Sequence, residues 1–94
     1  MRFADEVAID LERITIHLVA HDAPDVQARI DAIVEALQVL VRNPCIGRKA
    51  TRSRRELIIG RSTRGHVARY RDDEIDDEVL VMGLRAQREA GFAD

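Results

Sequence analysis

The chain has 94 residues, 46% hydrophobic and 34% charged, with a formal net charge of −2. That suffices for one domain over residues 1–94 with a modest core, burying roughly 60–65% of the unfolded surface, and it excludes a disordered chain. Three aromatic residues, Phe3, Tyr70 and Phe92, are too few for a base-stacking platform, and the single cysteine, Cys45, excludes an internal disulfide or a thiolate metal cluster.

Residues 1–3 are long enough only for the end of an edge strand. From residue 4 to 20, Val7, Leu11, Ile14 and Leu18 recur at steps of four, three and four. That spacing puts them on one stripe of an amphipathic helix, with Asp5, Glu6, Asp10, Glu12 and Arg13 mostly off it. His17 and His21 lie four apart at its end, a spacing compatible with a metal, but no third ligand is evident, so no metal or other cofactor is expected. In "HDAPDVQ", Asp22 is placed to cap a second helix and Pro24 to sit in its first turn. This helix, about 24–42, turns Val26, Ile30, Ile33, Leu37 and Leu40 or Val41 inward. "RNP" stops it, because Asn43 suits a C-terminal cap and Pro44 cannot continue. Cys45 reads as a small buried residue. Two helices joined so closely form an antiparallel hairpin.

After Gly47 the period changes. "RELIIG", "HVARYR" and "EVLVMGLR" are short, β-branched-rich and separated by turn residues, which predicts antiparallel strands at about 55–60, 66–71 and 78–84. "GRSTRG" reads as a turn, "RDDEIDDE" as an acidic hairpin tip and residues 85–90 as a short helical tail. The fold class is therefore α+β: a two-helix hairpin on one face of a small, three- to four-stranded antiparallel sheet. Strict alternation places Val67, Arg69 and Arg71 on one face of their strand and His66, Ala68 and Tyr70 on the other. In the last strand it opposes Leu80, Met82 and Leu84 to Val79, Val81, Gly83 and Arg85.

Charge is distributed unevenly. Residues 48–71 hold nine basic residues and one acidic residue, Glu56, while 1–47 and 72–94 sum to −4 and −6. Eight of the nine are arginine, whose planar fork suits carboxylates and phosphates. Arg48, Arg55, Arg61, Arg64, Arg69, Arg71, Arg85 and Arg88 are the candidate partner-binding residues, expected to converge on one anion-binding surface. No apolar run approaches the roughly 20 residues of a membrane span, and the N-terminus lacks a signal peptide's apolar core, so a cytoplasmic location is expected.

These pieces resemble the RelE/ParE superfamily of toxins from type II toxin–antitoxin modules, also called plasmid stabilisation proteins. "ADEVAIDLERI" is similar to the family's first helix and "ALQVLVRNPCIGR" to its second, with Leu40, Pro44, Gly47 and Arg48 at the "L-x-x-x-P-x-x-G-R" positions. "RELIIG", "GHVARYR" and "VLVMGLRAQREAG" resemble its strand stretches. The family's N-terminal strand is nearly absent here.

The resemblance implies a toxin neutralised by a cognate ParD-like antitoxin that wraps part helix and part strand around it, giving a hetero-oligomer. ParE-like members inhibit DNA gyrase, and RelE-like members cleave messenger RNA in the ribosome. Cleavage would use Arg61, Arg64 and Arg85 as phosphate stabilisers and needs an acid and a base beside them. The position after Arg85, often histidine in the family, is Ala86; the C-terminal ring is Phe92; and the single lysine is Lys49. Only His66 remains for proton transfer, and it reads more simply as a core-edge histidine, as Tyr70 reads as core. The ParE-like function is therefore the leading expectation, the endoribonuclease is the alternative, and a degenerate module that only binds its antitoxin is the third reading.

Overall fold

The computed structural model describes residues 1–60, 65–73 and 78–87. Along the chain run β1 (Arg2–Phe3), α1 (Asp5–Ala20), α2 (Val26–Arg42), β2 (Arg48–Lys49), β3 (Arg55–Ile59), β4 (His66–Asp73) and β5 (Glu78–Ala86). The strands form one sheet in the order β1-β5-β4-β3-β2. All neighbours are antiparallel except β1, which runs parallel to β5 with Arg2 beside Leu80 and Phe3 beside Val81. The predicted helical hairpin and three main strands are all present, and two two-residue strands extend the sheet at its edges. The "GRSTRG" turn at 61–64, the tip at 74–77 and the tail from 88 lie outside the described residues. Ala86, expected to be helical, still belongs to β5.

Both helices cover one face of the sheet. Val7, Ile14 and Leu18 of α1 and Ile33, Leu37 and Leu40 of α2 pack with Ile59, Ala68, Tyr70, Val79, Val81 and Leu84 in one buried cluster, with Leu11 at its edge. Leu40, not Val41, is the inward residue: Leu40 is fully buried and Val41 is exposed.

The joint between the helices differs from expectation. Asp22 adopts a left-handed backbone (φ 49°) and closes α1, its N–H bonding the Val19 carbonyl while the Ala23 N–H bonds that of Leu18. This is the glycine-type helix ending, which aspartate tolerates through its short polar side chain. Asp22 thus ends the first helix and does not cap the second. That one begins after Asp25 (φ 55°), which makes no side-chain capping bond, and Pro24 precedes it.

Helix α1 also closes an edge of β5. The Leu84 N–H donates to Asp10 Oδ2 at 2.9 Å, and Arg13 Nη2 donates to the Leu84 carbonyl at 3.2 Å. Asp10 and Arg13 lie 3.8 Å apart. Together they offer the acceptor and donor that a further strand would supply where β1 has already ended. Asp10→Ala strands a backbone donor beside the buried Leu84. It is expected to cost about 1–3 kcal/mol, read as a lower urea midpoint at unchanged slope.

Candidate functional site

The arginines sort by face. Tyr70 and Ala68 are fully buried in the core, so alternation along β4 turns Arg69 and Arg71 to the sheet face away from the helices. Register sets their neighbours. Arg48 of β2 stands beside Glu56 of β3, and Glu56 stands beside Arg69, which faces Gly83 of β5. Gly83 places no side chain next to the Arg69 guanidinium. In the next row Ile58, Val67 and Arg85 align. Arg48 Nη2 bonds Glu56 Oε1 at 3.2 Å, the single carboxylate of these two rows. Arg48, Arg69, Arg71 and Arg85 thus share one face, four of the eight arginines expected to converge.

Arg85 reaches that face by a route that strict alternation misses. Arg69 pairs with Gly83 but Tyr70 with Val81, so Met82 is an extra residue, a β-bulge. Past the bulge the alternation inverts. Leu84 joins Val79 and Val81 in the core, correcting the expectation that it opposes them, and Arg85 turns outward. The last strand's core residues are 79, 81 and 84, but Leu80 and Met82 are apolar too, so "EVLVMGLR" carries no periodic signal of the break. Arg85 Nη1 also donates to the carbonyls of Ala86 and Gln87, each at 3.3 Å, which steadies it at the strand end.

Other candidates lie elsewhere. Arg55 pairs in register with Tyr70 and shares the helix-side face. Its Nη1 donates to the carbonyls of Gly47 (2.8 Å) and Cys45 (3.3 Å). His66 is buried and pairs with Ile59 and Ala86, on the side opposite Arg85. Arg61, Arg64 and Arg88 lie outside the described residues. His17 and His21 stack with ring centres 4.2 Å apart, and among the described residues no group of three His, Cys, Asp or Glu could hold a metal.

One joint fixes where β2 begins. The buried Tyr70 hydroxyl donates to the Pro44 carbonyl at 2.6 Å and accepts the Gly47 N–H at 2.9 Å. Burial pushes its pKa above the ordinary 10.0, opposed by the Gly47 hydrogen bond and the Arg55 charge. A side chain at Gly47 would place its Cβ 2.7 Å from that hydroxyl and 2.8 Å from the Glu56 carbonyl oxygen, so only glycine fits. Because the loop's carbonyls point inward to Tyr70 and Arg55, its side chains point out. Cys45, expected to be buried, is therefore exposed, as is Ile46.

On the opposite side of the molecule an apolar groove of about 560 Å³ opens between α1 and α2, lined chiefly by Phe3, Val7, Leu11, Val34 and Leu37. Nothing in the helical periodicity distinguishes it, because a groove between helices depends on their separation and not on either stripe alone.

Among the described residues no helix is long and apolar enough to cross a membrane. No curated protein matches the sequence. A chain of a solved structure, the chromosomal ParDE toxin–antitoxin system from P. aeruginosa, has a similar fold, with a TM-score of 0.73 and 24% identity over 90% of this chain and 91% of that one. Residues 1–91 match the family described as the ParE toxin of the type II toxin–antitoxin system parDE. A match over nearly the whole sequence shows the family, and the chain belongs to the ParE toxins of type II toxin–antitoxin systems.

Proposed function

We propose that this toxin, acting as one domain in the cytoplasm, inhibits DNA gyrase by binding it through the arginine-bearing sheet face, and that a cognate ParD-like antitoxin silences it. The observation that carries the reading is the composition of that face. Arg48, Arg69, Arg71 and Arg85 gather there with two carboxylates among the described side chains, Glu56 bonded to Arg48 and Glu78 bonded to Arg2. Guanidinium groups stay protonated and make poor acids or bases, whereas they bind carboxylates and phosphates in bidentate fashion. The one histidine of the strands, His66, is buried behind the sheet, away from Arg85. That separation argues against the ribosome-dependent endoribonuclease, which needs a proton donor beside its phosphate stabilisers. Gyrase supercoiling assays with the purified chain test the proposal: inhibition near stoichiometric concentration is expected, and none at large excess would overturn it.

The antitoxin reading draws on two surfaces. The apolar groove between α1 and α2 is shaped for the apolar side of a helix, and the arginine face for acidic residues. The complex should bury more than about 1,200 Å² in total. Its association rate is expected to fall about tenfold or more from low to high salt, with a smaller change in dissociation rate, because screening acts on encounter. Stopped-flow mixing at two ionic strengths measures both rates, and equal association rates would contradict the electrostatic part of the model of docking.

A further inference from the structure

A second cationic site lies on the other side of the sheet. The turn between β2 and β3 folds back on itself, the N–H groups of Ala50 and Thr51 both bonding the Arg54 carbonyl at 3.0 and 3.2 Å. It frames a pocket of about 130 Å³ lined by Lys49, Arg52, Arg54 and Arg55 and by the hydroxyl-bearing Thr51 and Ser53, with Cys45 and Asp72 completing the wall. Lys49 and Arg55 are register partners and share the helix-side face of the sheet, so the sheet itself separates this pocket from Arg48, Arg69 and Arg85. Arg55 is already held by the Gly47 and Cys45 carbonyls, which makes it a preorganised wall.

From this geometry we infer that the β2–β3 turn binds a phosphate group. Among the described residues its lining joins four cationic residues to one carboxylate, a lining suited to an anion. A terminal phosphate carries about −1.5 to −2 at neutral pH and three acceptor oxygens, and a nucleic-acid backbone presents singly charged diesters in series; either answers the mixed guanidinium, ammonium and hydroxyl donors. The pocket, of about 130 Å³, has room for a tetrahedral oxyanion. The site is independent of the gyrase reading, since it uses different residues on a different face.

The test is an amide NMR titration of the full chain at constant ionic strength with inorganic phosphate, ADP, a short DNA duplex and, as the carboxylate control, acetate. Saturable shifts centred on residues 49–55 are expected with at least one phosphate-bearing probe and not with acetate. Arg52→Gln with Arg54→Gln, both in the turn and outside the buried core, should weaken that binding tenfold or more while leaving the rest of the spectrum in place. Tighter saturation by ADP would identify a free nucleotide phosphate as the source, and saturation by the duplex alone would identify a nucleic-acid backbone. Acetate shifting the same amides equally would make the pocket a dock for acidic protein segments and overturn the inference. So would shifts spread equally over Arg69, Arg71 and Arg85, or no saturable shift with any probe.

Discussion

Tyr70→Phe is expected to lower the unfolding free energy by about 2–3 kcal/mol, because it removes one hydroxyl that serves two buried partners. The ring still fills its site, so the loss isolates the Gly47 N–H and Pro44 carbonyl, both left without the oxygen that joined them. For a domain of this size each kcal/mol corresponds to roughly 4–8 °C, so a melting temperature about 10–20 °C lower is the readout. The same hydroxyl gives stability an alkaline dependence. Its pKa is raised in the folded state, mainly by burial. Above pH 10 the unfolded chain therefore loses this proton while the folded chain keeps it. The tyrosine's contribution is complete below pH 10 and declines as pH rises from there through the folded value. Tyr70→Phe should abolish that component of alkaline destabilisation. A wild-type stability curve that tracks the variant's above pH 10 would contradict the assignment. Gly47→Ala attacks the same joint from the other side, where the contacts at 2.7 and 2.8 Å leave no room.

The second large effect concerns function. Arg69→Gln combined with Arg85→Gln should weaken gyrase inhibition at least about 100-fold. Each charge-assisted hydrogen bond contributes about 1.5–3 kcal/mol, and 1.4 kcal/mol is a factor of ten. Glutamine keeps polar character and places no negative charge opposite Glu56, so folding should survive, as a melting curve can verify. Arg42→Gln, exposed at the end of α2 and away from this face, is the control, expected to stay within about twofold. Equal potency of the double variant and the control would remove the sheet face from the mechanism.

The helices were legible because apolar residues at three- and four-residue steps leave little freedom over sixteen or seventeen residues. The three main strands were legible from β-branched runs between turns. What escaped depends on long-range geometry. Asp10 and Arg13 look like ordinary solvent-facing charges in a helix, yet they act on Leu84, more than seventy residues away. The Met82 bulge breaks the two-residue period, so Leu84 and Arg85 each appeared on the wrong face. Arg55 looked equivalent to its neighbours, but register with Tyr70 commits it to backbone carbonyls. Arg52 and Arg54 were counted in the charge of the segment without being singled out, because only the folded turn brings them to one pocket. Which arginines converge depends on strand parity, and a single inserted residue reverses parity for everything after it.

The contact between Leu84 and the Asp10–Arg13 pair carries a consequence for self-association. Among the described residues, Leu57–Ile59 of β3 have no strand on their outer side, because β2 reaches only Arg55 and Glu56. The far border ends in a two-residue β1 and in side chains that already occupy the Leu84 main chain. Among the described residues the β3 margin is thus the longer open one, while the other is shortened to the two residues of β1 and blunted at Leu84. Pairing of two molecules is therefore favoured through β3, a geometry that leaves little edge for further addition.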